Sequence, residues 1–173
     1  MLGDSYEAIV KFMEQGGDVL YMILAVVFIM WVLIIERLWF FSLEYRKQKS
    51  RVVDAWEDRT ERKSWYAHKI RTAMISEITE SLHAGVPLIK TLVALCPLVG
   101  LLGTVTGMIE VFDVMATQGS SNARAMAAGV SKATIPTMAG MVAALSGVFL
   151  ATFIERKAKR EAERLEDQLT MDH

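Results

Sequence analysis

From Val19 to Ile35 the chain carries no charged or strongly polar residue, and after Glu36-Arg37 the apolar run closes with Leu38-Trp39-Phe40-Phe41. At about 1.5 Å per helical residue, residues 19–41 are long enough to cross a hydrocarbon core of about 30 Å. A second apolar run covers about 88–112 and is rich in Gly, Thr and Pro; a third covers about 128–154 and is built from Ala, Gly, Met, Val and Thr. The pattern therefore predicts three transmembrane helices.

The polar stretches between and after these runs have their own period. Ile70, Met74, Ile78 and Leu82 recur every fourth residue among charged positions within the segment 43–84, which predicts an amphipathic helix. Gly85 and Pro87 mark a turn into the second run. Ala158, Ala162, Leu165 and Leu169 continue an apolar stripe through the charged tail, 155–173, so the third helix is expected to extend well past its apolar part. A tail that only solvates its charges or lies on anionic headgroups would not need this stripe.

Composition fits this picture: 53% of the 173 residues are apolar, and they are gathered into blocks. The formal net charge is only −1, so the position of the Lys and Arg residues is more informative than their sum. They cluster in 43–84 and in the tail, whereas Ala116–Ala127 has Arg124 as its only basic residue. Trp39, Phe40, Phe41 and Tyr45 form an aromatic end followed by Arg46, Lys47, Lys49 and Arg51. The positive-inside rule then predicts an external N-terminus and a cytoplasmic C-terminus, with long helical cytoplasmic extensions. The first run follows an acidic start and lacks a small-residue cleavage pattern, so it reads as an anchor, in a single domain spanning 1–173. Cys96, the sole cysteine, reads as a small buried hydrophobe, and no internal disulfide is possible.

Gly100, Gly103 and Gly107 lie three and four residues apart in the second span, on one face where another backbone can approach. Ala133, Thr137, Gly140, Ala144, Gly147 and Ala151 give the third span a matching face. Composition alone favours simple helix packing for both faces. Thr104 and Thr137, however, lie at one level, about 24 and 26 Å along their helices from Leu88 and Ile154. Around the axis of an oligomer these hydroxyls would form polar rings; alternatively they bond back to their own helices. Neither span has a carboxylate, amine or imidazole at its middle, and Lys90 lies at an end. A proton path through hydrocarbon normally needs such a group, so the acid would have to come from another polypeptide. Glu110, Asp113 and Lys132 fall near the outer interface, where pairing across the two helices would make a polar collar or a plain surface ion pair.

The stretch Pro97-Leu98-Val99-Gly100-Leu101-Leu102-Gly103-Thr104-Val105-Thr106-Gly107-Met108 resembles the second span of the MotA/TolQ/ExbB proton channel family. Ala133-Thr134-Ile135-Pro136-Thr137-Met138-Ala139-Gly140-Met141-Val142-Ala143-Ala144-Leu145 is similar to the family's third span, and Glu36-Arg37 extends the resemblance to the first. The resemblance implies an all-α membrane protein forming a pentamer around a central pore. It places Thr104 and Thr137 at the family's pore-facing threonine positions, with Gly100, Gly103, Gly107, Ala133, Gly140, Ala144 and Gly147 on the same lining helices. It also implies an ExbD-like single-span partner whose intramembrane aspartate supplies the missing carboxylate, and a TonB-like protein receiving the energy in a bacterial inner membrane.

Many relatives carry glutamate in place of Lys132 and proline in place of Ser146, so a role tied to that glutamate does not carry over to this chain. The short N-terminus and compact polar segment are most similar to the smaller ExbB variety of auxiliary TonB systems. TonB-dependent import of iron-siderophores and vitamins is thus the expected service. A TolQ-type envelope motor and a non-conducting scaffold are the alternatives. Each proton moved across 100 mV supplies about 2.3 kcal/mol, so such a motor needs no nucleotide. His68, His83 and His173 group with no nucleophile, and no enzyme activity, cofactor, metal or nucleic-acid partner is expected.

Overall fold

The computed structural model describes residues 2–118 and 123–170, all helices and short turns. The elements are α1 (Leu2–Trp39), a turn of π-helix (Phe40–Glu44), α2 (Tyr45–Glu57), α3 (Trp65–His83), α4 (Val86–Gln118) and α5 (Ala123–Gln168). Three of these helices are long and apolar enough to cross a membrane, matching the three predicted spans. Of the expected connecting segment Ala116–Ala127, residues 119–122 lie outside the described residues, as does His173.

Contacts divide the chain into two units whose boundaries fall inside α1, α4 and α5 and not at linkers; the first comprises Met1–Trp31 with Lys90–Val148, the second Val32–Ile89 with Phe149–His173. In the first unit, Gly17 breaks α1 with φ 65°, a left-handed conformation that glycine adopts without steric cost. This break falls two residues before the expected start of the first span at Val19. Leu20, Ile23 and Met30 of α1 are buried, with Val93 and Cys96 of α4 and Ala133 and Ala144 of α5. Many other bulky residues point outward: Phe28, Leu98, Leu101, Val105, Met138, Val142 and Leu145 are all exposed. Where α4 meets α5 the inward residues are small while many large apolar ones face out, the arrangement expected where lipid or neighbouring apolar helices replace water.

The second unit has an ordinary core of large side chains. Ile34, Phe41, Trp56, Ile78, Leu82, Ile89, Ile154, Leu165 and Leu169 are buried, so the stripes read from α3 and from the tail are packing faces. Helix ends in this unit are closed by side chains. At the start of α3, Ser64 Oγ accepts from the Ala67 N–H at 3.2 Å and donates to Glu61 at 2.8 Å. The bonds that Ser64 donates to Glu61, first from its hydroxyl and then from its own N–H, hold the Glu61 carboxyl below its usual pKa. At the end of α5, Arg71 Nε donates to the Leu169 carbonyl at 2.5 Å and Nη2 to that of Glu166 at 2.8 Å, while Trp56 Nε1 donates to that of Thr170 at 3.0 Å. A cation and an indole thereby satisfy carbonyls that helix geometry leaves without partners. Gly85, at φ 77°, makes the turn into α4 and lies against the Arg37 side chain, which also donates to the Ser81 carbonyl at 3.3 Å.

The π turn was not anticipated from the sequence. The Tyr45 N–H bonds to the Phe40 carbonyl, five residues back, so one extra residue enters the turn and advances every later side chain by about 100°. Phe41, within this turn, and Tyr45, just after it, are both buried. The Tyr45 hydroxyl donates to the Glu161 carbonyl at 3.2 Å. Burial, and next the negative charge of Glu161, push the phenol well above its ordinary pKa, so it remains a donor.

Candidate functional site

The site is built on the close approach of α4 and α5 in the first unit. A Cβ added to Gly100 would lie 2.7 Å from the Pro136 carbonyl oxygen, and one on Gly140 would lie 2.5 Å from that of Cys96. Both contacts are with backbone, which cannot swing aside. At Gly103 the obstacles would be the Pro136 ring at 2.5 Å and Val19 at 2.9 Å, and at Gly107 the Ala133 methyl at 2.9 Å. Gly147 faces Val93 and Met30. Glycine at these positions is thus a matter of space: the two helices meet backbone to backbone, as membrane helices do when small residues share a face.

This geometry assigns roles within the chain to the expected lining residues. Gly100, Gly103, Ala133, Gly140, Ala144 and Gly147 are buried, and Gly107 is half-buried, in contacts made by the chain itself. The packing reading of the small faces therefore accounts for these seven positions. Within the chain, their surface is covered by neighbouring helices.

The two threonines differ. Thr104 and Thr137 are half-buried, and their hydroxyls are in hydrogen-bond contact with each other. Thr137 Oγ1 also reaches the Gly100 carbonyl across the helix interface at 3.1 Å, and Thr104 Oγ1 reaches the same carbonyl from within its own helix at 3.4 Å. The shared level and back-bonding thus occur together, around a carbonyl that sequence reasoning did not single out. Two hydroxyls have two protons; one serves the hydroxyl–hydroxyl bond and the other the carbonyl. Whichever way the chain of bonds runs, the node retains oxygen lone pairs but no unused proton. As it stands it is an acceptor, suited to water or to a protonated acid. To meet a carboxylate, one hydroxyl must rotate away from Gly100.

No carboxylate, amine or imidazole lies between Lys90 and Glu110 on α4, nor between Lys132 and Glu155 on α5. Glu110, Asp113 and Lys132 are exposed, and among the described residues no ion pair joins Lys132 to either acid. The expected pairing is therefore not made within one chain, as suits exposed side chains that gain little from it.

The sequence model of the MotA/TolQ/ExbB proton channel family matches residues 43–167, well over half the chain. Among curated relatives, biopolymer transport protein exbB1 of Vibrio cholerae is 35% identical over 96 residues, covering 55% of this chain and 42% of its own. Biopolymer transport protein ExbB of Aquifex aeolicus is 29% identical over 93 residues, covering 54% of this chain and 60% of its own. The chain thus spans less than two thirds of either protein. A longer alignment, with the ExbB-like 1 chain of Helicobacter pylori J99, is 22% identical over 170 residues and covers 88% and 89%.

Proposed function

Because this chain belongs to the MotA/TolQ/ExbB proton channel family, and is therefore a multi-pass membrane protein, we propose that it is the channel subunit of an ExbB-type complex that turns a proton gradient into work for biopolymer transport. The subunit works as a pentamer in a bacterial inner membrane, N-terminus outside, with Thr104 and Thr137 facing the lumen and Glu110, Asp113 and Lys132 at its outer mouth. An ExbD-like single-span partner supplies an intramembrane aspartate. A TonB-like protein carries the work to outer-membrane receptors for iron-siderophores or vitamins.

The observation that carries this reading is the Thr104–Thr137–Gly100 node, which is polar, lies within the membrane helices and has no titratable group of its own. Its lone pairs accept the O–H of the partner's protonated aspartic acid. After the proton leaves, one hydroxyl turns from the Gly100 carbonyl to donate to the carboxylate. The node therefore serves both protonation states, at the cost of one weak carbonyl bond in the second. A proton crossing 100 mV supplies about 2.3 kcal/mol, more than the net worth of about 0.5–1.5 kcal/mol of such a bond.

The test compares Thr104→Val plus Thr137→Val with Thr104→Ser plus Thr137→Ser, reconstituted with and without the single-span partner. Proton flux into vesicles and iron-siderophore uptake in cells should fall at least tenfold in the valine pair and recover largely in the serine pair. Wild-type flux from the valine pair, or full flux from the chain without a partner, overturns the reading.

A further inference from the structure

In the second unit, the π turn, the start of α2 and the facing stretch of α5 line an open cavity of about 310 Å³, at the lower end of the roughly 300–1,000 Å³ typical of small-molecule sites. Four of its lining residues are cationic: Arg46, Lys49, Lys157 and Arg164. The one acid in the wall, Glu161, binds Arg164 at 2.8 Å and lies 4.0 Å from Lys49. Among the described residues no carboxylate pairs with Arg46 or Lys157. Lys157 instead stands over the Phe41 ring, its Nζ 5.2 Å from the centroid. The cavity therefore holds a net positive charge, with part of it unmatched.

Its level along the chain is also informative. Phe41 is the last residue of the first apolar run, and Lys157 follows the end of the third at Ile154 by less than one turn. Phe149, Phe153 and Lys157 are four residues apart on α5 and share a face, and both phenylalanines are exposed. A ligand with a phosphate among the cations and a hydrocarbon chain along these rings would match both the charge and the apolar track. A free inorganic anion would use only the first. We infer that this groove is a binding site for the phosphodiester headgroup of an anionic phospholipid, its acyl chain lying along Phe153 and Phe149. Basic pockets between membrane helices hold such headgroups through charge complementarity where the hydrocarbon ends. This inference does not depend on the channel reading.

The test uses the purified full-length chain in detergent micelles, titrated with equal amounts of phosphatidylglycerol and phosphatidylcholine, with bound lipid counted by native mass spectrometry. Phosphatidylglycerol should be retained at least fivefold over phosphatidylcholine. Lys157→Gln should reduce its retention about fivefold, and adding Arg46→Gln should reduce it about fivefold again, the scale expected for each basic side chain at an anionic surface. Lys157→Arg should restore binding. Lys47→Gln, which removes a neighbouring charge outside the groove, should leave binding unchanged. Equal retention of the two lipids overturns the proposal, as does a loss in Lys47→Gln matching that in Lys157→Gln. Displacement of the lipid by inorganic phosphate at equal concentration would make this a free-anion site and also overturn it. Circular dichroism accompanies each variant; if Lys157→Gln loses helix, Arg46→Gln alone, at an exposed position, carries the same test.

Discussion

The two units of this chain hold their helices together by opposite means. Where α4 meets α5 in the first unit, the contact residues are Gly100, Gly103, Gly107, Ala133 and Gly140, and the groups they admit are backbone carbonyls and a proline ring. In the second unit the buried residues are Trp56, Ile78, Leu82, Ile154, Leu165 and Leu169, and the polar contacts are side chains reaching helix-end carbonyls. The difference follows from the solvent each composition suits. Lipid tails are as apolar as leucine, so turning a large side chain inward brings no hydrophobic gain, and α4 and α5 associate through close backbone packing and a few hydrogen bonds. Among charged residues, burying a large side chain removes it from water and yields about 25 cal/mol per Å².

The largest effect that would sharpen this contrast is in the second unit. Trp56→Ala should lower unfolding stability by about 3–5 kcal/mol, since it opens a cavity and removes the bond to Thr170. Thermal or denaturant unfolding in detergent measures this, and a loss below 1 kcal/mol would break the comparison. Next is Gly140→Ala in the first unit, expected to cost about 1–3 kcal/mol although it adds a single methyl, because the obstacle is the Cys96 backbone. Gly147→Ala should cost less, since it meets side chains, a Val93 methyl and the flexible thioether of Met30, and no backbone. Equal costs at the two glycines would mean that the helices separate easily.

Tyr45→Phe should cost about 1 kcal/mol through loss of the bond to Glu161. Its pH dependence has a definite sign. Below the unfolded phenol's value of 10.0 the tyrosine is neutral in both states, and its contribution is complete. As pH rises past that value the unfolded phenol ionises first while the buried one stays neutral, so stability falls. Between about pH 9 and about pH 11 the native chain should therefore lose more stability than Tyr45→Phe. Parallel pH profiles would contradict the assigned burial. The smallest effect is the coupling between Thr104 and Thr137: a double-mutant cycle to valine should give about 0.6 kcal/mol, the usual scale for side-chain hydrogen bonds between membrane helices. A much larger loss of transport than of stability in the same variants would separate function from packing.

Much of the architecture was legible from short-range pattern. The lengths of the apolar runs located three membrane helices, and the stripe from Ile70 to Leu82 gave α3 its packing face. The alanine and leucine stripe of the tail likewise signalled that α5 continues to Gln168. The π turn was hidden, since any backbone can take up one extra residue and no residue type in Phe40–Glu44 demands it. The groove was hidden as well: Arg46 and Lys157 are far apart in sequence, and only the packing of α2 against α5 brings them to one cavity.

The sequence by itself determined the helical class, the apolar spans, the small-residue faces and the common level of Thr104 and Thr137, because these follow from residue size, polarity and a fixed rise per residue. Only the tertiary structure decided that the small faces cover each other, that both threonines share the Gly100 carbonyl, and that Lys132 pairs with neither acid within the chain. These outcomes turn on helix rotation and on approaches of a fraction of an ångström. A periodic pattern leaves both undetermined until packing selects them.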